Sequence, residues 1–134
     1  MKKLILTLAI VLIASIGFAQ EKQYQLSTHI LDISQGVPAV NVEVKLEKMN
    51  KETETWTFVA QKTTEESGRI ADFLPGIDNQ GIYRFTFYTM PYFKKSGVQS
   101  FYPFVQVVFE INDSKHYHVP ITLSAFGYST YRGS

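Results

Sequence analysis

The chain has 134 residues, 13 of them basic and 12 acidic, and no cysteine. So even a balance excludes a charge-driven partner such as nucleic acid or an acidic membrane surface, and no disulfide can brace the fold. The length admits one ordinary domain whose stability rests on burial, with oligomerisation as a common supplement.

Met1-Lys2-Lys3 precedes an apolar run from Leu4 to Phe18, and Gly17-Phe18-Ala19 offers small residues for a cut after Ala19. A basic start, an apolar middle and a small-residue exit are the parts of a secretory signal peptide. The run is short of the roughly 20 apolar residues that span a bilayer. We therefore expect a leader over residues 1–19, removed on export to a periplasmic location, and one domain over residues 20–134. Losing Lys2 and Lys3 tips the balance to one net negative charge, and every aromatic residue except Phe18 lies beyond the leader.

Gln23–Ile33 alternates as a first strand, with Tyr24, Leu26, Thr28 and Ile30 on one face and Gln25, Ser27, His29 and Leu31 on the other. The small polar neighbours of His29 suit a groove wall better than a dry core. A turn around Gly36-Val37-Pro38 leads into a strand with Val40, Val42, Val44 and Leu46 inward. Lys48–Glu54 reads as a hairpin connection. Thr55–Thr64 is the next strand, with Trp56, Phe58 and Ala60 expected inward. Arg69 emerges from a Glu65–Gly68 turn, and Asp72–Gly81 reads as a loop around a short strand. Ile82–Met90 alternates again, Pro91 and Gly97 bracket one or two turns of helix, and Phe104–Ile111 gives another strand. Asn112–Lys115 is expected to be a hairpin turn with His116–Ser124 returning, and Gly127 precedes the last strand. Seven or eight short strands, one brief helix and no repeat make the fold all-β, best matched by a two-sheet sandwich.

Chain ends usually fray, yet the final seven positions here are Tyr128-Ser129-Thr130-Tyr131-Arg132-Gly133-Ser134. Just upstream, His116 and His118 fall on one side of a strand and Tyr117 on the other. Alternate histidines can share zinc with His29, but no carboxylate or cysteine accompanies them, so no metal is expected. His116 is most simply a solvent-facing or supporting residue. A nucleophilic Ser129 or Ser134 would need a base and an orienting acid, which nothing local supplies.

Ser27-Thr28-His29-Ile30-Leu31-Asp32 followed by Gly36-Val37-Pro38-Ala39 resembles the amino-terminal signature of the transthyretin-like family. The ending Tyr131-Arg132-Gly133-Ser134 resembles that of its hydrolase branch, the 5-hydroxyisourate hydrolases of urate degradation. The resemblance spans about Tyr24–Ser134. It implies an eight-stranded transthyretin-like β-sandwich, a homotetramer, no cofactor, and hydrolysis of 5-hydroxyisourate to 2-oxo-4-hydroxy-4-carboxy-5-ureidoimidazoline. The family's histidines match His29 and His118, its central arginine Arg69, and its terminal tetrapeptide Tyr131, Arg132, Gly133 and Ser134. We expect His118 to activate water and His29 to orient substrate or share the proton. Arg69 is expected to grip substrate oxygens and Tyr131 to contact substrate, with Arg132 and Ser134 closing the site. Interchanged histidine roles fit the sequence equally well. The rival is a transthyretin-like carrier, which needs an apolar pocket and no base.

Overall fold

Alternating side chains build two sheets whose inner faces share one core. The computed structural model describes Gln20–Ser134, and the expected leader lies outside the described residues. The strands are β1 (Tyr24–Asp32), β2 (Val37–Pro38), β3 (Glu43–Asn50), β4 (Thr55–Thr63), β5 (Arg69–Pro75) and β6 (Gly81–Phe87). Helix α1 (Met90–Lys95) follows, then β7 (Val105–Ile111), β8 (Tyr117–His118), β9 (Ile121–Ser124) and β10 (Gly127–Thr130). One sheet runs β4-β3-β6-β7. In the other, the order is β10-β9-β1-β2, with β5 and β8 also paired to β1. The two-sheet sandwich with one short helix is therefore the observed architecture.

Leu26, Ile30 and Phe73 from one sheet meet Leu46, Phe85 and Phe87 from the other, all fully buried. The Phe73 and Phe85 rings cross the interface with centroids 5.2 Å apart. Burying a side chain of this size contributes about 1.5–3 kcal/mol, which is how a chain without cysteine holds together. Helix α1 has Pro91 in its first turn and ends before Gly97 at φ 70°, and buried Phe93 pins it to the core. Asp32 closes the turn after β1 by accepting hydrogen bonds from Ser34 and Gln35, and it also accepts one from the Tyr92 hydroxyl at 2.7 Å.

Four expectations need correction. Trp56 and Phe58 face outward: they stand opposite Met49 and Glu47, Phe58 is 61% exposed, and Trp56 lies under the Arg84 guanidinium at 4.3 Å. An irregularity between Leu46 and Glu47 shifts the β3–β4 register, so Ala60 points inward while the two aromatics beyond it do not. The strand expected from Val40 begins at Glu43, because Asn41 takes a left-handed conformation at φ 60°. The short strand expected within Asp72–Gly81 starts earlier, at Arg69, and ends at Pro75, pairing with β1 along its length.

The fourth correction bears on function. Asn112–Lys115 is not a hairpin turn, since β8 and β9 run parallel to β1 in the opposite sheet. The returning segment is also broken at Pro120, which has no N–H to give a ladder. Gln25 anchors the crossover, its Nε2 donating to the Asp113 and Lys115 carbonyls at 2.8 and 3.2 Å. Its Oε1 accepts from the Asn79 backbone and side-chain nitrogens. A crossover held near the start of β1 delivers His116 and His118 to the face that carries Ser27 and His29.

Candidate active site

Strand β1 carries apolar residues on its core side and Gln25, Ser27 and His29 on its outward side. Each neighbour adds one group to that outward face. On one flank Arg69 is the cross-strand partner of His29, a pairing that sets Cβ atoms about 5 Å apart. The β1–β5 register breaks between Leu26 and Thr28, so Phe73 and Ile70 both face the core although three positions apart. That break is what turns Arg69 outward beside His29. On the other flank the parallel register sets His118 beside Ser27.

Ser27 Oγ lies 2.8 Å from His118 Nδ1 and 2.9 Å from His116 Nε2, and His116 Nδ1 lies 2.9 Å from the Tyr24 carbonyl oxygen. His118 is only 8% exposed although it stands on the outer face of the sheet. The chain terminus covers it. Gly133 bridges to His118 in antiparallel fashion, and its N–H donates to the His118 carbonyl at 2.8 Å. This clamp leaves Ser134 as the next residue along. Gly68 is equally tight against His29: at φ 74°, an added Cβ would sit 2.8 Å from the Ile30 oxygen and 3.2 Å from His29 Cδ2.

Burial lowers the pKa of His118, the Arg69 guanidinium lowers it further, and His29 and His116 add to the effect. His29 is lowered first by burial and then by Arg69, with the Ser67 backbone carbonyl pulling the other way. Both rings are thereby kept neutral near neutrality, with lone pairs free to take a proton. A neutral imidazole held beside an exposed guanidinium can activate water and stabilise negative charge arising next to it.

His29, Arg69 and His118 come together on one face. Tyr131 and Arg132 do not join them within this chain. Arg132 stacks over the Tyr117 ring at 4.3 Å, and Tyr131, 60% exposed, lines a separate cleft of about 280 Å³ with Val107 and Val108. Ser27, His116 and Gly133 adjoin these three groups; from sequence Ser27 had no role, His116 was solvent-facing or supporting, and Gly133 was part of the terminal tetrapeptide. For Ser27 the available signal was its place two residues before His29 on the polar face. Among the described residues no three potential metal ligands converge.

The profile of the HIUase/Transthyretin family matches residues 26–133. The 5-hydroxyisourate hydrolase of Salmonella dublin is 44% identical over 111 residues, covering 81% of this chain and 80% of that protein. The structure of Klebsiella pneumoniae 5-hydroxyisourate hydrolase aligns with a TM-score of 0.71 at 38% identity, over 85% of this chain and all of that one. Sea bream transthyretin, solved with thyroxine, aligns with a TM-score of 0.76 at 29% identity, over 81% and 94%. Enzyme and carrier frames fit about equally well, so the backbone does not choose between them; membership itself is plain. The chain belongs to the HIUase/Transthyretin family.

Proposed function

We propose that this protein hydrolyses 5-hydroxyisourate. The observation that carries the proposal is the convergence of His118, His29 and Arg69 on one outward face under a glycine of the terminal segment. A carrier has no use for a shielded neutral imidazole beside a guanidinium, and the relatives that bear the hydrolase name support the same conclusion. His118 removes a proton from water, whose oxygen bonds to the acyl carbon of the ring. Arg69 stabilises charge on the carbonyl oxygen, and His29 orients the ring. The carbon–nitrogen bond then breaks, and the proton held by His118 passes to the leaving nitrogen. Ser134 follows the Gly133 that bridges to His118, while Tyr131 and Arg132 reach substrate only if the assembly brings them to a neighbouring site.

The same proposal includes a homotetramer and export with loss of residues 1–19. Exposed Phe101, Phe126 and Tyr128 favour association, since apolar surface of this kind is covered in stable assemblies. The test is to generate 5-hydroxyisourate from urate and follow its ultraviolet decay with the 20–134 protein and with His118→Ala. Catalysed decay that collapses in the variant is expected. Decay at the buffer rate with well-folded protein would leave the carrier as the better account.

A further inference from the structure

We propose that Ser27 and His116 form a hydrogen-bond relay that sets the tautomer of His118, making both of them positioning residues for the base. It rests on the role given to His118 above, but the relay itself follows from donor and acceptor counting along one chain of contacts.

The Tyr24 carbonyl can only accept, so the proton 2.9 Å from it belongs to His116 Nδ1. A neutral imidazole carries one proton, so His116 Nε2 is an acceptor and takes the Ser27 hydroxyl proton across 2.9 Å. Having given its one proton to His116, Ser27 Oγ must accept at its other contact. His118 Nδ1 therefore donates to it across 2.8 Å. His118 is left with a bare Nε2, the form a general base requires. One backbone carbonyl thus fixes the state of a ring three hydrogen bonds away. The anchor is rigid, because Tyr24 belongs to β1 and Ser27 is buried.

Two readouts test the relay. Nitrogen-15 shifts of the imidazoles, above neutral pH and without substrate, should show His118 protonated at Nδ1 and bare at Nε2. Ser27→Ala should erase that preference and lower kcat/KM by about 10- to 100-fold, and Ser27→Thr, which keeps the hydroxyl, should restore both. His116→Gln can still donate to the Tyr24 carbonyl and accept from Ser27, so it should keep the Nδ1 preference of His118 and most of kcat/KM. A wild-type His118 carrying its proton on Nε2 would overturn the proposal even if Ser27→Ala failed to fold. So would a folded Ser27→Ala with wild-type rate and pH profile. The tautomer is read without turnover, so a protein that fails to hydrolyse 5-hydroxyisourate would sink the function while leaving the relay to be judged by its spectrum.

Discussion

Gly133 is where the smallest change should do the most damage. Its N–H holds the His118 carbonyl at 2.8 Å, and an alanine Cβ there would sit 2.5 Å from His118 Cδ2 and 3.3 Å from Cγ. Carbon atoms settle at about 3.5–4.0 Å, so something must move by about 1 Å. The ring is poorly placed to yield, being buried and tied through Nδ1 to Ser27 at 2.8 Å. A shift of 1 Å in the ring would stretch that contact beyond hydrogen-bond range. If the tail yields instead, the Gly133–His118 bond is lost and the base is opened to water. Either route misplaces or rehydrates the ring proposed as the base, and errors of 1 Å cost about 100-fold in rate. The stability cost is smaller, about 1–3 kcal/mol for overpacking and less if the terminus lifts away. Gly133→Ala should therefore lose about 100-fold in kcat/KM for 5-hydroxyisourate while its urea midpoint moves little. A folded variant with wild-type kcat/KM would refute the view that the terminal clamp positions the base.

Arg69→Gln should lower kcat by about 100-fold, the usual cost of removing one fixed donor at a developing oxyanion. It should also move the acid limb of the pH–rate profile upward. Arg69 depresses the pKa of both His118 and His29, so without it the base is protonated at higher pH; a downward shift or no shift would contradict that coupling. Stability should depend on pH for the same reason. Both histidines have lowered pKa in the folded protein, so the unfolded chain takes up protons first as pH falls below about 6.5. Their contribution is complete above that value and is lost as pH falls through the lowered folded values. Urea unfolding at pH 7.5 and 5.5 should show a loss that shrinks in a His29→Gln, His118→Gln double variant. An equal loss in both proteins would assign it to other groups.

The sequence made the inner faces legible because a period of two is a local property. Tyr83, Phe85 and Phe87 alternate without interruption and are all buried. Alternation failed where register slipped. Nothing within Thr55–Thr63 announces the break that turns Trp56 and Phe58 outward, since it is a property of the β3–β4 pairing. The crossover after β7 was hidden likewise, because Asn112–Lys115 has the composition of a tight turn whichever sheet the chain enters next. His29, Arg69 and His118 were named through a resemblance, and the structure adds why they meet. A break in the β1–β5 ladder turns Arg69, and a parallel step beside Ser27 delivers His118. The relay lay beyond sequence reasoning altogether, since it depends on a backbone carbonyl, and every residue has one.

The outer face of a sandwich sheet is an unusual place for a shielded base, because with no layer packed over it that face normally meets water. Here the shielding comes from chain that adds no third layer. Gln25 holds the crossover carbonyls down over the upper part of β1, and Gly133 lies against the His118 ring from the other side. Between them they keep Gln25, Ser27 and His118 under a tenth exposed while Arg69 stays open to solvent. That division suits hydrolysis. In the proposed roles the base His118 is dry, the substrate-gripping Arg69 is wet, and both stand on strands paired to β1. A carrier built on the same strands gains nothing from a glycine clamped on a histidine, so the terminal segment separates the two activities better than the backbone does. Grafting the Tyr131–Ser134 segment onto a carrier frame lacking Ser27 and His116 should accordingly close the site without arming it.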